Sequence, residues 1–286
     1  MKKYSIRKNW LTTIEVMRSK PVVIMPFVVV AFLECLALEI IYFAQATPIR
    51  YITNPIIKKF FGEAFLHYPG TMMALPRLFY YAQSAIYIVV GALLAGICVN
   101  IFKNTVENLP IKTNAVVKNG IFRYFSFAFY AVFVLILIAL LGGFEAFIVN
   151  KGVRFLARHN LLIPKNLYMI LSAILLFFTN ILLQVFIILT IPIMVLRKKS
   201  LFKSILQSFR MGFFNFPKIL TILTLPFIVY LPVIFLKTFA MQIAQKTYPG
   251  INFYITLLGI ILTIFIDSFI ILSVSRFLLD SEKPRG

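Results

Sequence analysis

Acidic residues are scarce in this chain of 286 residues, which has 9 Asp and Glu side chains against 29 Lys and Arg. Only 13% of the residues are charged and 61% are hydrophobic, whereas a typical soluble domain is about 25% charged and about 45–50% apolar. Such a composition excludes a disordered chain and argues against a soluble enzyme. It predicts a polytopic membrane protein.

Cysteine and histidine are equally rare, with two of each. Two cysteines exclude a disulfide framework and a Cys-rich zinc site, and two histidines away from any carboxylate cluster do not make a metal site. The sequence contains no Gly-rich phosphate loop, no nucleophile elbow and no His-Glu-x-x-His motif. We therefore expect no metal, no cofactor and no enzymatic activity. Intramembrane catalysis would need an acid–base or nucleophile constellation, and none is visible.

Long apolar runs are present in place of charge. A transmembrane helix needs roughly 20 mostly apolar residues, and six segments meet that requirement. The predicted fold is therefore all-α, a single membrane domain over residues 1–286 with six spans. These spans cover residues 21–46, 80–102, 124–149, 167–196, 217–240 and 253–279.

The basic residues are distributed unevenly between the two sides that six spans would define. Segments on the side of the two termini carry 19 Lys and Arg, and the three loops on the other side carry 10. The positive-inside rule then places both termini in the cytoplasm. Because the basic residues are spread between apolar runs, they indicate contact with anionic lipid headgroups and not with nucleic acid.

Basic amphipathic helices are predicted on the cytoplasmic leaflet over residues 4–19, 114–123 and 200–214, each leading into a span. A fourth interfacial helix is predicted on the outer leaflet over residues 55–68. The predicted architecture is thus three parallel repeats of an interfacial helix plus a helical hairpin. The side chains expected at the lipid headgroups are Lys118, Arg123, Lys198, Lys199, Lys203 and Arg210.

Two of these segments that lead into spans also have similar sequences. Residues 118–124 read KNGIFRY and residues 210–216 read RMGFFNF, so a basic Gly-x-Phe-x-aromatic motif enters the third and fifth spans. This arrangement resembles a broad group of bacterial inner-membrane proteins that includes the YciC-like proteins and the membrane domain fused to some glycerophosphodiester phosphodiesterases. The resemblance implies a six-span helical domain in the bacterial cytoplasmic membrane. It implies no catalytic residues, and no segment here is long enough to hold the phosphodiesterase domain.

Four polar side chains within the spans are candidates for an intramembrane site. Asp267 lies midway along the sixth span, where an acid costs roughly 2.5–3.5 kcal/mol on insertion scales. Glu34 lies deep in the first span, and Asn180 and Gln184 share one face of the fourth. These residues either form a proton- or cation-coupled site or join helices by hydrogen bonds.

Small residues and prolines predict how the helices approach and bend. The second span contains two small-xxx-small pairs, Gly91/Ala95 and Ala92/Gly96, which allow close helix packing. Pro192 in the fourth span, and Pro226 and Pro232 in the fifth, remove backbone donors and predict kinks. We therefore interpret these small residues and prolines mainly as determinants of helix packing and helix geometry.

Two functions remain open from the sequence. The first is a non-enzymatic membrane domain that supports envelope or lipid organisation through its basic interfacial helices. The alternative is a transporter or permease-like protein for a small solute or lipid, with a polar path around Asp267. A separate partner chain or a homo-oligomer is compatible with both. The two functions differ in whether the polar side chains converge near the middle of the bundle.

Overall fold

A computed structural model describes residues 5–44, 46–67, 70–111, 113–158 and 165–282. Residues 4, 45 and 68, which the predicted segments include, lie outside the described residues. Over the described ranges the chain is all-α and contains no β-strand. In chain order the helices are α1 (Ile6–Ser19), α2 (Met25–Tyr42), α3 (Arg50–Phe61), α4 (Gly70–Ile86), α5 (Ala92–Val106), α6 (Thr113–Phe122), α7 (Tyr124–Arg158), α8 (Lys165–Ile187), α9 (Thr190–Leu196), α10 (Leu201–Phe214), α11 (Phe216–Thr238), α12 (Ala240–Lys246) and α13 (Ile251–Glu282).

Six helical segments of the described chain are long and apolar enough to cross a membrane, which is the predicted number. The structure confirms an all-α polytopic membrane protein. The second span begins at Gly70, ten residues before the predicted start, because α4 continues through a π-helical turn at Tyr87–Gly91 into α5. The early part of α4 packs its buried residues, such as Leu75 and Phe79, near α2.

Pro192 interrupts the fourth span. Its nitrogen carries no hydrogen for the carbonyl four residues earlier, and its ring would clash with that carbonyl, so the chain leaves α8 and restarts as α9 just before the proline. At this break, side chains donate to two carbonyls at the end of α8. The Tyr130 hydroxyl donates to the main-chain oxygen of Ile187 (3.0 Å), and the Ser208 hydroxyl donates to that of Phe186 (2.6 Å).

The fifth span responds differently to its prolines. Helix α11 stays a single helix through Pro226 and Pro232, although each ring removes one backbone hydrogen bond. Pro226 is buried and Pro232 is exposed. The predicted kinks in this span therefore stay predictions, whereas Pro192 coincides with a break between two helices.

Two of the helices that precede spans, α1 and α10, pack on the bundle through small or polar residues. In α1 these are Asn9 and Thr13: the Asn9 amide donates to the main-chain oxygen of Ser273 in α13 (3.0 Å), and the Ser273 hydroxyl donates to the Thr13 hydroxyl (3.4 Å). In α10 they are Ser204, Ser208 and Gly212, all buried at intervals of four residues. A Cβ on Gly212 would lie 2.9 Å from a main-chain oxygen of α8, so α10 sits directly on that helix.

Several large apolar side chains of α1, α6 and α10 point away from the bundle. Phe122 at the end of α6 is 91% exposed and Phe202 in α10 is 82% exposed. Leu11 and Ile14 of α1 are exposed as well. A soluble protein buries the apolar stripe of such helices, so the outward orientation here matches helices whose apolar face is covered by lipid.

The small residues of the second span lie where helices meet. Gly91, Ala92, Ala95 and Gly96 are all buried. A Cβ on Gly96 would lie 2.6 Å from the ring of Phe127 in α7, a buried side chain with little room to move. Glycine at this position is what lets α5 and α7 approach each other.

We predict that Gly96→Ala lowers the melting temperature of the detergent-solubilised protein, with a loss of about 1–3 kcal/mol from overpacking. Gly142→Ala is the matched control, because a Cβ at Gly142 of α7 meets no atom within 4 Å. That control should be neutral or gain up to about 1 kcal/mol from helix propensity. Equal melting temperatures for the two variants would contradict the close approach at Gly96.

Candidate functional site

Asp267 faces the interior of the bundle. In α13 the residues Tyr254, Leu258, Ile261 and Phe265 are exposed and form one outward stripe. At about 100° per residue, Asp267 lies about 200° from Phe265 and therefore on the opposite side of the helix. The Asp267 side chain is exposed there, so it faces an opening on the side of α13 away from the outward stripe.

Glu34 of α2 is buried on the same inner side. The amide nitrogen of Gln83 in α4 donates a hydrogen bond of 3.0 Å to its Oε1. Glu34 also interacts electrostatically with Asp267, although the two side chains come from the first and the last span. The charge of Glu34 therefore reaches Asp267, although no hydrogen bond joins the two side chains among the described residues.

Lys237, in the last turn of α11, supplies a positive charge to this region. Its Nζ lies 3.3 Å from the Tyr230 hydroxyl, and it interacts electrostatically with Glu34. Gly259 of α13 makes room for it, because a Cβ at Gly259 would lie 2.6 Å from Lys237 Cε and 2.8 Å from Nζ. The ammonium group thus lies against the backbone of the central helix.

These side chains define what we call the polar cluster: Glu34, Gln83, Tyr230, Lys237 and Asp267. Tyr230 belongs to it through the contact of its hydroxyl with the Lys237 ammonium group. The cluster therefore draws on α2, α4, α11 and α13 and holds two carboxyl groups, one ammonium group, one amide and one phenol.

Asn180 and Gln184 are placed elsewhere. Both are half-buried in α8, which packs mainly against α7, α10 and α11. Helix α13 packs mainly against α11, α2 and α1 on the described chain. The structure does not bring the two amides into the polar cluster. The two acids of the cluster, Glu34 and Asp267, come from the first and last spans.

The basic residues predicted at the headgroups are mostly exposed. Lys118 and Lys203 are exposed on α6 and α10, as are Lys198, Lys199 and Arg210. Arg123 is half-buried at the junction of α6 and α7, and its guanidinium donates to the main-chain oxygen of Met194 at the end of α9. Headgroup contact stays a prediction for all six, and for Arg123 the structure adds a contact within the protein.

In the segment predicted to lie on the outer side, α3 and the following turn are joined by an ion pair between Lys58 and Glu63. The Lys58 ammonium holds the pKa of the exposed Glu63 carboxyl below its usual range. Glu63 is thereby kept as a charged surface group. Among the described residues, no group of three or more His, Cys, Asp or Glu side chains is arranged to hold a metal ion.

Lys237, Tyr230 and Gln83 were missed in the sequence, although two of them left a signal. Helical side chains lean toward the N-terminus of their helix, so a lysine in the last turn of a span reaches back over the preceding turns. Tyr230 precedes Lys237 by seven residues, which is two turns on the same face. The predicted fifth span, 217–240, includes Lys237, but the charge count assigns this residue to the following loop, and that assignment conceals the pair.

Comparisons with protein families, with curated proteins and with solved structures find no match to this chain. The resemblance to the YciC-like group therefore stays a prediction. The polar cluster has to be interpreted from its own chemistry.

We predict that Glu34→Gln and Lys237→Met are coupled in a double-mutant cycle on the unfolding free energy of the solubilised protein. Each single variant leaves the opposite charge without its partner, so the double variant should lose less than the sum, by about 0.5–3 kcal/mol. Lys246→Met in the short helix α12 is the control, because this lysine is exposed. Strict additivity for Glu34 and Lys237 would contradict the electrostatic link between them.

Proposed function

We propose that this protein is a proton-coupled, permease-like membrane protein whose solute path passes the polar cluster. The observation that carries the proposal is that three ionisable side chains of the spans, Glu34, Lys237 and Asp267, lie away from the outward faces of the bundle. Glu34 is bound by Gln83 and Lys237 by Tyr230. A protein that only organises lipids has no need for a polar centre. A permease needs a polar site near the middle of its spans.

The balance of charge in the cluster supports a coupling role for Asp267. The Gln83 amide donates a hydrogen bond to Glu34, and the positive charge of Lys237 favours its carboxylate. One of the two acids therefore has partners within the protein. Asp267 has no such donor from a neighbouring span among its described contacts, and its side chain remains accessible. A charged acid in that position is unfavourable unless it binds a proton or a cation. Protonation and deprotonation of Asp267 then couple to movement of the solute.

Cysteine accessibility tests for the path directly. In a background with Cys35→Ser and Cys98→Ser, we expect Asp267→Cys to react with a membrane-impermeant cationic methanethiosulfonate reagent, because thiolates form only in contact with water. Phe265→Cys is the control at the same depth, since Phe265 is 55% exposed on the outward stripe and would face lipid. Protection of both cysteines would contradict a water-accessible path.

Proton movement tests the coupling step. In proteoliposomes with an enclosed pH dye, and valinomycin with K⁺ to balance charge, we expect the wild-type protein to dissipate an imposed pH gradient faster than protein-free vesicles through proton movement not tied to solute. Asp267→Asn, which cannot release a proton, should reduce that rate to the protein-free level. Gln184→Leu, in a helix that does not contribute to the cluster, should leave it unchanged. Full activity in Asp267→Asn would show that this acid is structural.

A second candidate is the support of envelope or lipid organisation without transport. The outward apolar side chains of α1, α6 and α10 favour it, because they suit helices that lie in the headgroup region with basic residues beside them. Lys203 and Arg210 flank the apolar stripe of α10 in this way. The accessibility and proton experiments separate the two candidates.

We further propose a bacterial cytoplasmic membrane as the location, with both termini inside. The polar contact between α1 and the C-terminal half of α13 supports a common side for the two ends. Green fluorescent protein fused at the C-terminus should then fluoresce, and alkaline phosphatase fused there should be inactive. The opposite result would reverse the topology. A parallel repeat, a partner chain and a homo-oligomer stay predictions.

A further inference from the structure

An apolar groove opens on the outside of the bundle between α1, α11 and α13. It has a volume of about 420 Å³, within the range of sites that bind small molecules. Ile14 of α1, Val229 of α11 and Phe265 and Phe269 of α13 line its walls. The groove lies behind α13 as seen from the polar cluster, because Phe265 is on the far side of the helix from Asp267.

The walls of this groove face the lipid of the bilayer. Val229 is 54% exposed and belongs to a span, as does Phe265 of the outward stripe of α13. Val229 lies 13 residues from the start of α11, which is about 20 Å along the helix. The groove therefore extends from α1 toward the middle of the membrane, a direction that suits an acyl chain.

Arg18 is the charged residue of the groove lining and lies near the end of α1. Its side chain is exposed. A guanidinium group binds phosphate with two parallel hydrogen bonds and is the preferred side chain for that geometry. One cationic group beside an apolar groove is complementary to a lipid that joins a phosphate to acyl chains.

We propose that this groove binds one anionic phospholipid, with an acyl chain between α11 and α13 and the phosphate at Arg18. The site is independent of the polar cluster and of the proposed transport. Such a site differs from a general attraction of basic residues to anionic membranes, because binding requires the apolar groove and the Arg18 charge together. The groove excludes water from the chain, and Arg18 fixes the headgroup beside it.

Native mass spectrometry of the intact protein tests the site. The probes are phosphatidylglycerol and phosphatidylcholine with identical acyl chains, added to delipidated protein in detergent. We expect the wild-type protein to retain one phosphatidylglycerol in preference to phosphatidylcholine. Arg18→Gln should raise the apparent dissociation constant for phosphatidylglycerol about fivefold, the factor that corresponds to roughly 1 kcal/mol per basic residue, and leave that for phosphatidylcholine unchanged.

Two matched controls make the result specific. Arg7→Gln removes the same charge from α1 eleven residues away, about 16 Å along the helix, and should change nothing. Val229→Trp fills the groove and should reduce both lipids, whereas Ile228→Trp, at an equally exposed neighbour outside the groove, should reduce neither. Equal losses in Arg7→Gln and Arg18→Gln, or full retention in Val229→Trp, would overturn the proposal.

Discussion

The absence of water inside a bilayer is the constraint on which this structure depends. A polar group in hydrocarbon that lacks a partner costs several kcal/mol, so each one has to be satisfied within the protein. The break at Pro192 is tolerated because the hydroxyls of Tyr130 and Ser208 reach the carbonyls of the preceding turn. Glu34 is tolerated because Gln83 donates to it from the next span.

The same constraint determines how the short helices attach to the bundle. In water an amphipathic helix buries its apolar side, but lipid rewards no such burial between helices. Here α1 attaches through Asn9 and Thr13, and α10 attaches through two serines and Gly212. Their outward apolar side chains, such as Phe202, are left for the membrane. Polar and small residues, with a few apolar ones such as Met17 and Leu201, therefore hold these helices, while the outward apolar residues face the lipid.

The spans were predictable because hydropathy and length alone identify them, and the number of six is confirmed. Their ends were less so: the start of the second span at Gly70 depends on packing of α4 near α2, which no local pattern reveals. The acids Glu34 and Asp267 were identifiable as polar residues within apolar runs. Lys237 was not identifiable in this way, because it lies at the end of its span while its side chain extends back toward Tyr230.

Lys237 changes how the acids of the cluster are interpreted. Without a cation in the spans, both Glu34 and Asp267 would have to be neutral or joined to backbone groups. With Lys237 near Glu34 and held over Gly259, the first acid has a partner, and the charge that remains is centred on Asp267. A helix that needed Asp267 only as a link would pair it with a donor from a neighbouring span. Its accessible position opposite the lipid-facing stripe is instead what an exchangeable proton requires.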